Sequence, residues 1–165
     1  MTDLFLRPAK LADLPAINAI YNHYVLTSTA TYQTMPLSGE ARLDWFTGRD
    51  LTRHPVTVVE QAGEILAWGS LSPFGQREAF AGTVENSIYV HPGHHRKGHG
   101  RRLLLDQLER AKAVGHHTII AAISSEQAAS IALHLGHGFR EAGRLQECGW
   151  KFDQWLDLVY LQYLL

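Results

Sequence analysis

The densest chemistry in the chain lies in residues 91–102, HPGHHRKGHGRR. Three functions suit such a stretch. His91, His94, His95 and His99 could ligate a metal ion. Gly93, Gly98 and Gly100, set among Arg96, Lys97 and Arg101, could cradle a phosphate, because backbone without Cβ lets an anion approach its N–H groups. It could also be a solvated turn. Just upstream, in TVENSIYV, Glu85 alternates with Ser87 and Tyr89 as on one face of a strand, although Asn86 makes the second face imperfectly apolar. A carboxylate there is a general base or a half-solvated surface acid, and spacing alone favours the surface acid.

The position of the loop bears on the choice. A strand ends near Val90 and a helix begins near Gly98–Arg101. A helix start offers unpaired N–H groups and the positive end of a dipole, about half an elementary charge. Arg96, Lys97 and Arg101 add to that field, which favours an anion, most naturally a pyrophosphate. The loop is neither a Walker loop, since His99-Gly100 follows Gly98 where Lys and Ser/Thr are needed, nor a GxGxxG fingerprint, since Leu103 takes the third glycine's place. No carboxylate lies within the loop, its other charges are cationic and no HExxH helix motif is present, so no metal is expected.

The flanking elements read as β-α-α-β-β-β-α-β-α-β-β. DLFLR is a short strand, and Asp13 is the expected cap of a helix with Leu14, Ile17, Ile20 and Tyr24 on one side. Ser38 caps a second helix carrying Leu43, Trp45 and Phe46. PVTVVE and EILAWGSLS are strands around Ala62-Gly63, and TVENSIYV is a third. Leu104, Leu108 and Ala111 form one helical stripe, and HTIIAAI is a buried strand. Ser124 and Gln127 match a capping box for the next helix, and GFREAGRLQ and QWLDLVYLQYL close the chain as strands. This pattern predicts a mixed α/β, α+β-like fold with a central mixed sheet flanked by helices.

The 165 residues suit one domain spanning 1–165. A net charge of −1 with histidine neutral argues against a nucleic-acid partner. No apolar run is long enough for a transmembrane helix, and MTDLFLRPAK does not read as a signal peptide. With the lone Cys148 compatible with a reducing compartment, a cytoplasmic location is expected.

VHPGHHRKGHGRRLL resembles the coenzyme A pyrophosphate loop of the GNAT superfamily of N-acetyltransferases, [QR]-x-x-G-x-[GA], which falls here on His95 to Gly100, with His95 replacing Gln or Arg. IYNHYV, TATYQTMP, TVENSIYVHP, ASIALHLGHGF and GWKFDQWLDLV together resemble the phosphinothricin and methionine sulfoximine N-acetyltransferase family, in order and over nearly the whole chain. The element order matches the GNAT fold.

The resemblance implies acetyl transfer from acetyl-CoA to the amine of a small amino-acid-like substrate, with Glu85 as a base acting through water. Main-chain groups of Ile88, Tyr89 and Val90 would lie beside the thioester and pantetheine. His95, Arg96, Lys97, Gly98, His99, Gly100 and Arg101 would hold the pyrophosphate, with Gln127 and Ser130 also touching the cofactor. His134 matches a family histidine and is a candidate acid for the departing thiolate or a structural group; His137 is assigned no role. Arg77 and the aromatic and basic residues Tyr32, Phe74, Trp150, Lys151 and Trp155 match family positions at the substrate; for all of these but Arg77 core packing is the other reading, strongest for Trp155. The family's PFRxRxxYR is PFGQREAFA here, so Gly75, Phe80 and Ala81 replace two arginines and a tyrosine, and Arg77 or Lys151 is left to hold an α-carboxylate. A homodimer is implied as well. Acetylation of another amine, such as a peptide N-terminus, and non-catalytic acyl-CoA binding are the alternatives.

Overall fold

A computed structural model describes residues 3–165. Met1 and Thr2, the first residues of the stretch read above for a signal peptide, lie outside the described residues.

The elements follow the expected order: β1 (Leu4–Pro8), α1 (Leu14–Thr27), α2 (Gly39–Thr47), β2 (Val56–Gln61), β3 (Glu64–Pro73), β4 (Thr83–Val90), α3 (His99–Ala113), β5 (Thr118–Ser124), α4 (Ala128–Leu135), β6 (Arg140–Lys151) and β7 (Gln154–Leu164). The seven strands form one sheet in the order β1-β2-β3-β4-β5-β7-β6. All neighbours are antiparallel except β4 and β5. The β2–β3 turn uses Ala62 and Gly63, both at positive φ, as a tight two-residue hairpin requires.

α1 and α2 cover one face of the sheet, where Leu14, Ile17, Ile20 and Phe46 pack on Val56, Val58 and Trp68. α3 and α4 cover the other, where Leu104, Ala111, Ile131 and Leu133 pack with Leu71, Val84, Ile119, Ile123, Val159 and Leu161. The expected stripe of α3 therefore reaches the core, with Leu103 buried beside it. No described helix is long and apolar enough to cross a membrane.

Three local expectations are corrected. Asp13 precedes α1 but its carboxylate does not cap it. That group is taken by Arg7, at 2.7 and 2.9 Å, and by the Lys10 N–H, because a guanidinium offers a stronger bidentate partner than a helix N–H. The Ser124–Gln127 capping box does not form. β5 stays paired with β7 through Ser124, opposite Leu158, so the helix starts only at Ala128. Trp155 is not in the core: it is 58% exposed and packs on Trp150 at the hairpin between β6 and β7, with ring centroids 5.2 Å apart. Ser38, by contrast, caps α2 as expected, its Oγ accepting from the Ala41 N–H at 3.1 Å.

Candidate active site

The break in the sheet creates the site. β4 and β5 pair only over Thr83–Glu85 against Thr118–Ile120 and then diverge. From Asn86 onward, the β5-facing edge of β4 has no neighbouring strand. A cleft of about 560 Å³ opens there, bordered by Ile88, Tyr89 and Val90 on one side and Ala121, Ala122 and Ile123 on the other.

The floor of the cleft is the start of α3. The first backbone bond into the helix runs from the Arg102 N–H to the Gly98 carbonyl at 3.1 Å, so the N–H groups of His99, Gly100 and Arg101 precede the helical ladder. Gly98 has φ +82°, where L side chains are strained, and a Cβ built on it meets open space. That space leaves the backbone at the helix start open to an incoming group. Arg96, also left-handed at φ +60°, lines the cleft with His95 and Arg101. His99 lines it too, but its ring is buried with both nitrogens unpartnered, so its backbone is what it offers an anion. His95 is held in place: its ring lies 17° from parallel with Tyr24 and its Nε2 is 2.7 Å from the Tyr24 hydroxyl. That hydroxyl donates to the Val90 carbonyl, and burial pushes its pKa up to about 12, so it stays protonated.

A buried chain of hydrogen bonds supports β4 from below. Gln107 Nε2 donates to the carbonyls of Ser87 (2.9 Å) and Ser70 (3.3 Å), which sets its amide orientation. Its Oε1 must therefore accept, and does so from Asn86 Nδ2 at 3.1 Å. Asn86 Nδ2 also donates to His134 Nε2 at 2.9 Å, and His134 Nδ1–H donates to the Ser130 carbonyl at 2.8 Å. Burial lowers the His134 pKa, so the ring is neutral with its proton on Nδ1. This corrects its reading as a general acid: Nε2 carries no proton and Nδ1 is committed to a carbonyl. His134, 3% exposed, positions β4 and α4.

A second cavity, of about 480 Å³, lies on the α1–α2 side of the sheet. Glu85, Ser87 and Tyr89 share its wall, as their alternation predicts, and Trp68, Ser70 and Ser72 of β3 lie beside them. The two cavities share Ala30, Ser87, Tyr89 and Ala122, so they meet where β4 leaves β5. Glu85 is half-buried, and no hydrogen bond or ion pair engages its carboxylate among the described residues. Burial raises its pKa above the usual carboxylate range. The arrangement places an unengaged carboxylate on one side of a split sheet and the N–H groups of a helix start on the other. The acetyltransferase (GNAT) family profile matches residues 17–139.

The chain belongs to the GNAT acetyltransferase family. It is 40% identical to the L-methionine sulfoximine/L-methionine sulfone acetyltransferase of Salmonella typhimurium over 95% of this chain and 92% of that one. It is 38% identical to the L-amino acid N-acyltransferase MnaT of Escherichia coli over 95% of this chain and 91% of that one. Its fold superposes on the phosphinothricin acetyltransferase of Sinorhizobium meliloti, a structure in complex with AcCoA, with a TM-score of 0.94 and 34% identity, covering 98% of this chain and 88% of that one.

Within this GNAT fold, the residues expected at the cofactor come together. Ile88, Tyr89, Val90, His95, Arg96, Gly98, His99, Gly100, Arg101, Gln127 and Ser130 all line the cleft; Lys97 lies outside its lining, with Nζ 3.4 Å from His94 Nδ1. Gln127 is also tied to the 28–29 loop through Thr29 Oγ1 at 2.9 Å.

The expected substrate residues divide. Tyr32 lines the second cavity, its hydroxyl donating to the Asp157 carbonyl at 2.7 Å. Phe74, Arg77, Trp150 and Lys151 do not line it. Phe74 packs edge-on against Phe80 in the loop beyond β3, and Arg77 is exposed in that loop. Trp150 is 54% exposed. Lys151 is buried and donates to the carbonyls of Ser28 and Thr31, each at 2.7 Å, so it clamps the loop after α1. Neither Arg77 nor Lys151 is therefore placed to hold an α-carboxylate in this cavity. The cation on its wall is Arg42 of α2, which the sequence reading passed over. No signal in GEARLDWFT separates it from an ordinary helix-surface charge.

The loop has no carboxylate of its own, but the β2–β3 turn brings Glu64 to it. Ligand atoms of Glu64, His91 and His94 lie within 4.8 Å of one another, at the surface.

Proposed function

We propose that residues 1–165 are a single N-acetyltransferase domain that moves the acetyl group of acetyl-CoA to the amine of a small amino-acid-like substrate. The observation that carries this reading is the junction of the two cavities where β4 leaves β5, with the Gly98 cradle on one side and the unengaged Glu85 carboxylate on the other.

The residues present fit the cofactor. The N–H groups of His99, Gly100 and Arg101 hold the pyrophosphate, with Gly98 leaving the space for it and Arg96 and Lys97 adding positive charge. The separated edge of β4 at Ile88–Val90 offers main-chain groups to the pantetheine, and Gln127 and Ser130 border the same cleft. Acetyl-CoA supplies the activated acetyl group as a thioester. Glu85 takes one proton of the substrate ammonium through a water, which frees the nitrogen lone pair to attack the thioester carbonyl. The C–S bond then breaks, and the departing thiolate takes up the second proton released from the amine nitrogen, leaving coenzyme A as its thiol. The raised pKa of Glu85 makes it a stronger base than a solvated carboxylate, and such assistance contributes ~10²–10⁴ in rate. The network from Gln107 to His134 fixes the strand that carries Glu85.

The relatives that act on methionine sulfoximine, methionine sulfone and L-amino acids support an amino-acid substrate. The described cavity wall carries one guanidinium, Arg42, and one carboxylate, Glu85. That charge set suits a substrate with one ammonium and one anionic group. Methionine sulfone or sulfoximine fits it better than phosphinothricin, whose second acidic group would lack a partner. The Gly75 and Ala81 substitutions point the same way. A homodimer is part of this reading, because Trp150, Phe152 and Trp155 are exposed together near the β6–β7 turn, on the outer strand pair of the sheet. So is action in the cytoplasm, consistent with the single free Cys148.

The test is thiol release from acetyl-CoA across amino acids and their sulfone, sulfoximine and phosphinate analogues. Turnover is expected with the sulfone and sulfoximine, at a higher kcat/KM than with phosphinothricin. Release with peptide N-termini alone would favour the peptide reading. Binding of acetyl-CoA with no release for any amine would leave a non-catalytic binder.

A further inference from the structure

Two arginines of the α2 region flank the Trp45 ring, with guanidinium carbons 4.5 Å (Arg42) and 4.4 Å (Arg49) from its centroid. Their polar surroundings differ. Arg49 is spent on the protein: its Nε donates to the His54 carbonyl, and one terminal nitrogen donates to the Leu71 carbonyl and to Ser72 Oγ. Arg42 is 3% exposed, yet its one hydrogen bond is from Nε to Asn18 Oδ1 at 3.1 Å. Its Nη2 is buried with no acceptor. No carboxylate pairs with it among the described residues, although it lines the cavity that also holds Glu85.

A buried cation without an anion is costly, and so is a buried N–H without an acceptor. Aromatic rings offset part of that cost: the guanidinium lies 4.7 Å from the Tyr21 centroid and 5.4 Å from that of Trp68. They supply no acceptor. Trp68, whose ring forms the third side of this cage, also has its indole Nε1–H buried and unpartnered. Two residues with orphaned donors, one of them charged, therefore line one cavity, the guanidinium carbon 5.4 Å from the indole centroid. Asn18 holds the guanidinium there, being itself tied to the Leu37 carbonyl at 2.8 Å. Such a set lacks one thing, an anionic oxygen.

Resting on the acetyltransferase reading above, we infer that Arg42 receives the carboxylate of the substrate, so that this cavity selects amino acids over simple amines by pairing carboxylate with Arg42 and ammonium with Glu85. Asn18 is the positioning residue of that contact. The indole Nε1–H of Trp68 is the neighbouring donor available to the same anion.

The experiment compares methionine sulfone with its decarboxylated counterpart, 3-(methylsulfonyl)propylamine, for the wild type, R42Q and R42K. Wild type should have a KM about 10- to 100-fold lower for the amino acid, the loss expected for one hydrogen-bonded charge contact. R42Q should remove most of that difference by raising the amino-acid KM, with kcat and the KM for acetyl-CoA little changed. R42K should fall between, since it keeps the charge and loses the fork. A readout without turnover is the indole fluorescence of Trp45 and Trp68 on titrating methionine sulfone without acetyl-CoA, expected to change in wild type and not in R42Q. Equal wild-type KM values for the two amines would overturn the inference while leaving the acetyltransferase reading intact, and that result does not depend on any variant folding. Absence of acetyl transfer to every amine would refute that reading instead, and the fluorescence titration would still decide whether Arg42 binds a carboxylate.

Discussion

Replacing Gly98 by alanine separates a folding cost from a binding cost. Gly98 sits at φ +82°, so any Cβ there is strained, typically by ~1–2 kcal/mol. The added methyl meets no protein atom within 4 Å, so strain is the whole cost to the free protein. For a chain of this size it should lower Tm by roughly 2–8 °C. The bound state pays separately, because the methyl occupies the cradle and holds an anion off the helix N–H groups. Losing one or two charge-assisted hydrogen bonds costs ~1.5–3 kcal/mol each, about 10-fold or more in Kd apiece. Gly100→Ala is the control. Its Cβ would meet Leu133 Cδ2 at 3.4 Å, an ordinary contact inside a helix, where alanine is favoured over glycine by ~1 kcal/mol. Gly100→Ala should therefore keep or raise Tm. Calorimetry with acetyl-CoA and with S-acetylpantetheine, which lacks the pyrophosphate, checks the account. Gly98→Ala should weaken acetyl-CoA at least 10-fold and leave S-acetylpantetheine unchanged. Equal weakening of both ligands, or unchanged acetyl-CoA affinity in a folded variant, would refute the cradle.

Two further outcomes follow from the packing. Burial holds the pKa values of His99 and His134 below the ordinary 6.5, so below that pH the unfolded chain binds protons that the folded chain does not. Stability should be fully present above pH 6.5 and fall as pH drops, by up to about 1.4 kcal/mol per pH unit for each histidine; His134→Gln should flatten the Tm–pH curve between pH 6.5 and 5, and an unaltered slope would contradict the buried neutral ring. Exposed Trp150 and Trp155 should sit in a subunit contact, so the double change to serine should shift the sedimentation coefficient from dimer to monomer; a wild-type monomer at micromolar concentration would remove that contact from the account.

The cleft at the start of α3 was legible in the sequence because its signals are local. Glycines at the end of a strand and the start of a helix imply free N–H groups wherever the chain then goes, and Glu85, Ser87 and Tyr89 did share a wall. Signals that depend on distant partners were misread. Ser124 resembles a cap until β7 pairs with it, and Asp13 resembles one until Arg7 arrives across six residues. Lys151 matched a substrate position, yet two backbone carbonyls of the 28–31 loop take its ammonium. Arg42 was invisible for the converse reason: its isolation from any carboxylate exists only once α1, α2 and β3 have closed Tyr21, Trp45 and Trp68 around it. Glu64 joins the loop histidines only in space, because it comes from the β2–β3 hairpin and they follow β4.

The most direct measurement of the central claim is the initial rate of N-acetylmethionine sulfone formation, followed by mass spectrometry against pH, for the wild type and Glu85→Gln. The wild type should form this product and stay active well below the pKa of the substrate amine, because Glu85 takes the ammonium proton. Glu85→Gln should bind acetyl-CoA normally, lose ~10²–10⁴ in rate at neutral pH, and recover part of the loss as rising pH deprotonates the amine in solution. Superimposable pH profiles for the two proteins, or no acetylated amine from a wild type that binds acetyl-CoA, would contradict the account.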